Sequence, residues 1–512
     1  MADTSEVLPA GWARVRIDEL CDINPKHGAD LADDVEVSFV PMAAVSDVAG
    51  EITEPETRRL GDVRRGYTHF SDGDVLWAKI TPCMENGKSA VARGLVNGVG
   101  CGTTEFFVLR SHGAVVPEFL HQFMRQQSYR DAARGTMQSG VGQARVPKNF
   151  IEATILDLPP LAEQRRILAR IAQLRSRSHS ARDALDVIPT LLNQFRQSVL
   201  AAAFRGDLTD GWRATTPQES GSVFLDEIRA ARRDAWSRAG RVKRGQANGI
   251  HDHSLTQYKE PPSTDSSTLP RLPASWTWAT ATELSSAVYP LSYGVVQPGH
   301  EVEEGVSLLR VCDIGENGEI AVDGMRKIDA SVDDEHRRTR LRGGEIVMSL
   351  VGTIGRTAIV PEALRGGNIA RAIARIEPST LVPARWIARF LQSPAMQEWL
   401  NRESREVARK TLNLGTLASA PIPLAPPAEM KEILRKLDEL LAKHAEVTQL
   451  LMSQAAEIDR VESAILDKAF RGELVPQDSD DEPASVLLER IRAERAAAPA
   501  KQRRGVRARA RR

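Results

Sequence analysis

Two stretches of the chain repeat apolar residues at alternating steps of four and three. In the first, Ile167, Ile171, Leu174, Ser178, Ala181, Leu185, Ile188, Leu192, Phe195 and Val199 keep that step; in the second, Ile433, Leu437, Leu440, His444, Val447, Leu451, Gln454, Ile458, Val461 and Ile465 do. Four heptads of mostly apolar a and d positions predict long helices that pair as a coiled coil. Each helix covers about 40 residues, roughly 60 Å at 1.5 Å per residue. Pro159-Pro160 and Pro426-Pro427 stand before the two starts, and Gly206 and Gly472 after the two ends, as helix boundaries favour. Pro189 interrupts the first stripe. It lacks a backbone donor and crowds the Leu185 carbonyl, which predicts a kink or a break there.

Ahead of each stripe the pattern changes to short apolar runs bounded by turn residues, such as Asp74-Val75-Leu76-Trp77-Ala78, Glu105-Phe106-Phe107-Val108-Leu109 and Glu345-Ile346-Val347-Met348-Ser349-Leu350. These read as strands joined by loops. With the short helical patterns at 118–126 and 384–391 they predict mixed α/β, or α+β, domains.

The two halves of the chain repeat each other. Leu8-Pro9-Ala10-Gly11-Trp12 returns as Leu272-Pro273-Ala274-Ser275-Trp276, and Gly73-Asp74-Val75-Leu76 as Gly344-Glu345-Ile346-Val347. Gly87-Lys88-Ser89-Ala90 matches Gly355-Arg356-Thr357-Ala358. Ala162-Glu163 matches Ala428-Glu429, and Phe204-Arg205-Gly206-Asp207-Leu208 matches Phe470-Arg471-Gly472-Glu473-Leu474. The spacing wanders in the strand-rich parts and is constant along the helices. A helix demands this, since one inserted residue turns the stripe by about 100°.

The chain therefore divides into a first globular domain (1–158), a long helix (159–206), a short helical extension (207–236), a polar linker (237–270), a second globular domain (271–425), a second long helix (426–472), another helical extension (473–500) and a basic tail (501–512). Paired antiparallel, the helices give the single chain an internal pseudo-twofold repeat.

The 512 residues include 68 Lys and Arg against 68 Asp and Glu, so the chain is no wholesale polyanion binder, although clustered basic groups can still meet nucleic acid. The four cysteines form no C-x-x-C pair and have no zinc-ligand spacing, so no metal site is expected. No stretch approaches 18 apolar residues, and the start lacks a signal-peptide pattern, which places the protein in the cytoplasm without a membrane span. No catalytic residues are assigned: Gly352-Thr353-Ile354-Gly355-Arg356-Thr357 has the wrong glycine spacing for a P-loop, and no dinucleotide fingerprint opens a helix. What remains is geometry. A DNA duplex is itself pseudo-twofold, so two readers held apart by helices suit two half-sites.

Leu8-Pro9-x-Gly11-Trp12, the Gly-Asp-Val-Leu and Gly-Lys-Ser-Ala-Val runs, Leu158-Pro159-Pro160-Leu161-Ala162-Glu163-Gln164 and the closing Phe470-Arg471-Gly472-Glu473-Leu474-Val475-Pro476-Gln477 strongly resemble the specificity subunit of Type I restriction–modification systems. The resemblance runs through almost the whole chain, twice; the second copy departs at Ser275, Pro427 and Met430. It implies two target-recognition domains, each reading half of an interrupted double-stranded DNA site, joined by an antiparallel coiled coil that sets the spacer. It implies no active site and no cofactor in this chain. Two methylation subunits would bind S-adenosylmethionine and methylate adenine at N6, and restriction subunits would use ATP and Mg. The alternative is a coiled-coil scaffold whose paired heads bind protein.

Side chains suited to groove edges are Lys79, Thr81, Lys88, Thr103 and Thr104 in the first domain, and Thr353, Arg356, Asn368 and Arg371 in the second. Arg and Lys fit guanine O6/N7, Asn fits adenine N6/N7, and Thr fits an edge or the thymine methyl. Arg125 and Arg130, with Arg402, Arg405, Arg409 and Lys410, are expected on phosphate.

Overall fold

The computed structural model describes residues 8–28, 31–137, 143–217, 219–246, 258–406 and 410–497. Arg409, most of the linker's middle and the basic tail lie outside these residues. The chain forms two compact units: one joins the residues up to Asp186 to those from Leu451 onward, and the other is Val187–Leu450.

The first unit holds β1 (Ala13–Arg16), β2 (Cys21–Ile23), β3 (Glu36–Val40), β4 (Glu56–Arg59), β5 (Thr68–Ser71), β6 (Val75–Ala78), β7 (Ser89–Val91), β8 (Val99–Gly102), β9 (Phe106–Ser111) and β10 (Ile155–Leu158). Two four-stranded sheets run β2-β9-β6-β7 and β4-β3-β8-β5, while β1 pairs with β10. The run Val75-Leu76-Trp77-Ala78 is apolar throughout because β6 is covered on both faces. Alternate side chains serve different cores. Val75 and Trp77 pack with Phe119, Leu120 and Met124, whereas Leu76 and Ala78 pack with Val40, Phe70 and Phe106. Gly100 in β8 makes that second core possible, since a Cβ there would stand 2.1 Å from the Phe70 ring.

The second unit repeats the plan with β11 (Thr277–Thr280), β12 (Ser292–Tyr293), β13 (Val306–Leu309), β14 (Lys327–Ile328), β15 (Ile346–Ser349), β16 (Thr357–Ile359), β17 (Asn368–Ile369), β18 (Ile373–Ile376), β19 (Arg405–Glu406), β20 (Lys410–Thr411) and β21 (Pro421–Leu424). One sheet is β12-β18-β15-β16, the other β14-β13-β17. The parallel pair β3 and β8, flanked by antiparallel β4, recurs as β13 and β17 flanked by β14. The central strand again divides its side chains, with Ile346 and Met348 in one core and Val347 in the other.

The first long helix runs Leu161–Asp186 and then, past Val187, Ile188–Arg205, with Pro189 in the first turn of the second piece. The second is continuous over Pro427–Phe470. Gly206 and Gly472 close the ends with φ of +83° and +75°, conformations open to glycine at no steric cost. The apolar stripe is buried chiefly near the heads. In the first unit Ile167 and Ile171 share a core with Ile465, Leu466 and Ala469; in the second Val199, Leu200 and Phe204 share one with Ile433, Leu434 and Leu437. Further from the heads the stripe is covered only in part: Ser178 is buried, whereas Phe195 is 41% exposed and Val461 45%. The helical extension also runs further than the expected limit at 236. It spans Gly221–Gln246, because Arg232 reaches Ser285 O and Tyr258 Oη, and Trp236 packs edge-on against Tyr258.

One contact recurs at the start of each long helix. Glu163 accepts from the Trp12 indole at 3.0 Å and from Gln477 Nε2 at 3.4 Å. Glu429 accepts from the Trp276 indole at 2.9 Å, and from Thr209 Oγ1 and Arg213 Nε at 2.8 Å each. Both carboxylates are fully buried. Each joins three segments: the one before the head, the start of one long helix and the chain just past the end of the other. The flanking helices dock alike, through Ala484 N to Gly11 O and Arg492 to Glu19 in one unit, and Gly221 N to Ser275 O and Arg229 to Glu283 in the other.

Glu429→Ala leaves a buried indole donor and the Arg213 guanidinium without their acceptor. The expected cost is about 3 kcal/mol to the second unit, read by denaturant unfolding, while Glu429→Gln, which keeps an acceptor, loses less. A loss no larger than that of an exposed helix variant such as Glu457→Ala would contradict the clamp.

Candidate nucleic-acid interface

In the first head, most of the expected residues gather where β3, β6 and β8 end and β7 and β9 begin. Lys79 follows β6; its backbone N–H donates to Glu105 O at 2.9 Å and its ammonium lies 5.2 Å from the Phe107 ring centroid. Burial lowers its pKa. Thr81 N donates to Ala144 O at 3.1 Å, and Thr103 N to Val40 O at 3.3 Å. Thr104 is exposed at the tip of its turn. Lys88 is tied down, its ammonium donating to Met42 O at 3.2 Å.

The second head gathers its counterparts at the same end. Thr353, in the loop after β15, and Arg371, after β17, are both exposed. Lys410 O accepts from Gly352 N at 3.1 Å, and Lys410 Nζ donates to Asn401 Oδ1 at 2.6 Å. Arg356 turns back as Lys88 does, donating to Ile314 O at 3.2 Å. The matched pairs Gly87-Lys88 and Gly355-Arg356 thus share a fastening role, each holding the loop that follows β3 or β13.

Three further expectations change. Asn368 has no exposed surface; its Nδ2 donates to Asp333 Oδ1 at 2.8 Å, and its Oδ1 accepts from Thr339 Oγ1 at 2.7 Å. A side chain so occupied serves the fold, not an adenine edge. Arg125 donates to Asp47 O at 2.8 Å, Val48 O at 3.1 Å and Gly87 O at 3.4 Å, which fixes a loop onto its helix instead of facing phosphate. Burial pushes its pKa down to about 10, and that of neighbouring His121 down to about 4. Gly50 makes room, since a Cβ there would lie 2.6 Å from the Arg125 guanidinium. Arg130 is likewise held, by Glu85 O at 2.7 Å and Gln127 Oε1 at 2.6 Å.

Sequence reasoning passed over four exposed arginines beside short helices, Arg59 and Arg65 in the first head and Arg337 and Arg338 in the second. The available signal was a basic doublet at the same point of both copies, Arg64-Arg65 and Arg337-Arg338, hidden because the copies differ in length there.

The heads also differ electrostatically. Arg110 forks onto Asp74 at 2.8 and 2.7 Å. Strand register puts Glu345 and Glu377 at the equivalent points of the second head. Burial, then the Glu345 charge, raises the Glu377 pKa. A raised folded-state pKa favours the neutral acid, so this contribution to stability is present at acid pH and is lost as pH rises through that value. Glu377→Gln is therefore expected to flatten the pH dependence of unfolding of this unit above the ordinary carboxylate range, gaining on the native chain toward the alkaline side. Parallel melting-temperature profiles would contradict this.

Among the described residues, no group of three or more His, Cys, Asp or Glu could hold a metal ion, and no helix is long and apolar enough to cross a membrane. Loops offering hydroxyls and cations from two like heads suit the binding of a polyanion. Residues 320–452 match the family model for the Type I restriction modification DNA specificity domain. The EcoBI specificity subunit of Escherichia coli is 34% identical over 372 residues, covering 71% of this chain and 69% of that protein. The EcoAI specificity subunit of Escherichia coli is 40% identical over 171 residues, 33% of this chain and 29% of that one. Among solved structures, a chain from a study of complex assembly and conformational transition of the type I R-M system aligns with TM-score 0.64 at 21% identity, covering 91% of this chain and 100% of its own. The HsdS subunit from Thermoanaerobacter tengcongensis aligns with TM-score 0.51 at 21% identity, covering 92% and 100%. The chain belongs to the family of Type I restriction enzyme specificity subunits.

Proposed function

We propose that each head of this chain reads one half of an interrupted DNA site, that the long helices act as a coiled-coil spacer, and that the chain itself carries no active site. The observation that supports this most is one head plan used twice with different side chains on matching loops. Thr103-Thr104 after β8 and Ala370-Arg371 after β17 occupy the same turn. A common scaffold with different donors suits two different half-sites. In this reading the recognition domains are 1–158 and 271–425. Lys79, Thr81, Thr103, Thr104, Thr353 and Arg371 face the grooves, and Lys410 meets phosphate.

The open stretch of the stripe supports a second role for the helices. Phe195 and Val447 of the stripe, with Leu191 and Leu450 beside it, expose apolar surface in the second unit. A monomer rarely leaves such a stripe uncovered, and two methylation subunits docking along the helices would bury it. S-adenosylmethionine, ATP and Mg belong to the methylation and restriction partners, and the complex works in the cytoplasm.

Removing one heptad from each long helix keeps the stripe in register and shortens the spacer by about 10 Å, close to three base pairs. The expected result, read by sequencing the methylated bases, is the same two half-sites separated by fewer unread base pairs. An unchanged spacer would overturn the ruler.

A further inference from the structure

Most arginines near the recognition loops are already paired. Arg58 meets Glu56 at 2.6 Å, Arg64 meets Asp33 at 2.7 Å, and Arg340 meets Asp333 and Asp334. Four of their neighbours differ. The structure gives the side chains of Arg59, Arg65, Arg337 and Arg338 no ion-pair or hydrogen-bond partner among the described residues, and all four are exposed.

In each head they lie beside a short helix. Arg59 and Arg65 flank the short helix Leu60–Val63, and Arg337 and Arg338 follow the short helix Ala330–Glu335. Arg65 lies three residues before Thr68, whose hydroxyl donates to Thr103 O at 2.8 Å, in the loop that bears Thr104. Arg338 immediately precedes Thr339, whose hydroxyl donates to Asn368 of β17, the strand that leads to Arg371. In each head, then, a threonine hydroxyl pins the arginine segment to the strand that carries an exposed recognition residue.

We infer that Arg59 and Arg65 in one head, and Arg337 and Arg338 in the other, grip the phosphates that flank the groove being read; this rests on the DNA reading above. A loop that enters a groove has a phosphate chain on either side of it, whatever bases it meets. A planar guanidinium matches two phosphate oxygens at once. Among the described residues, carboxylates pair with Arg58, Arg64 and Arg340 and not with these four, which leaves their donors for a partner. Such contacts fix position and strength of binding and carry no sequence preference.

The test uses the full chain assembled with its methylation partners, on a duplex carrying the motif found from methylated bases and on a scrambled duplex, across a series of NaCl concentrations. Arg337→Ala with Arg338→Ala, and separately Arg59→Ala with Arg65→Ala, are expected to make the slope of log affinity against log salt shallower by about two, at about 0.9 for each phosphate lost. Both duplexes should weaken together, about tenfold, with their ratio unchanged. Arg337→Lys with Arg338→Lys should keep the slope. A native slope in the alanine variants, with motif preference intact, would overturn this inference and leave the DNA reading standing. A native slope with failed assembly would assign the surface to an acidic protein and also overturn it. A native complex with no motif preference would overturn the reading itself.

Discussion

The buried carboxylate at the start of each long helix is the constraint on which the other features rest. A glutamate without solvent is costly unless its oxygens are hydrogen-bonded. Glu163 and Glu429 meet that demand by recruiting an indole N–H from the segment before the head and donors from the segment beyond the other helix's end. Their position in the first helical turn also places the negative charge against free backbone N–H groups. Because the donors come from two other parts of the sequence, each carboxylate joins three segments and fixes how a head meets its helix.

The two clamps are not identical. Glu429 has Arg213 as a cationic partner, so its charge is balanced where it is buried. Glu163 has neutral donors, and burial raises its pKa. The unit that contains both ends of the chain therefore rests on the weaker electrostatic arrangement.

Much of this was legible in the sequence. The stripe, the proline and glycine boundaries and the repeated motifs depend on residues close in sequence, and periodicity reports them directly. The break near Pro189 follows from one missing amide. Burial did not follow so readily. Asn368 and Arg125 have side chains that suit DNA, yet Asp333, Thr339 and a set of loop carbonyls consume them, and those partners come from distant parts of the chain. Lys88 and Arg356 each follow a matched glycine, and that glycine serves packing against a neighbouring helix, where Gly87 meets Arg130 and Gly355 meets Gln397. The exposed arginines Arg59, Arg65, Arg337 and Arg338 are not legible from the repeat, because insertions near the short helices put the two copies out of step, and only matched strands align them again. The heptad pattern likewise overstated its own burial, since a sequence stripe marks what can be covered and not what covers it.

The most direct test of the central claim, that one chain presents two different readers at a set distance, is to sequence the modified bases in DNA from cells carrying the intact system. The account expects methyladenine in one interrupted motif whose two halves differ and whose unread gap has a constant length. Methyladenine in a single unbroken motif, or in two half-sites at variable spacing, would contradict it.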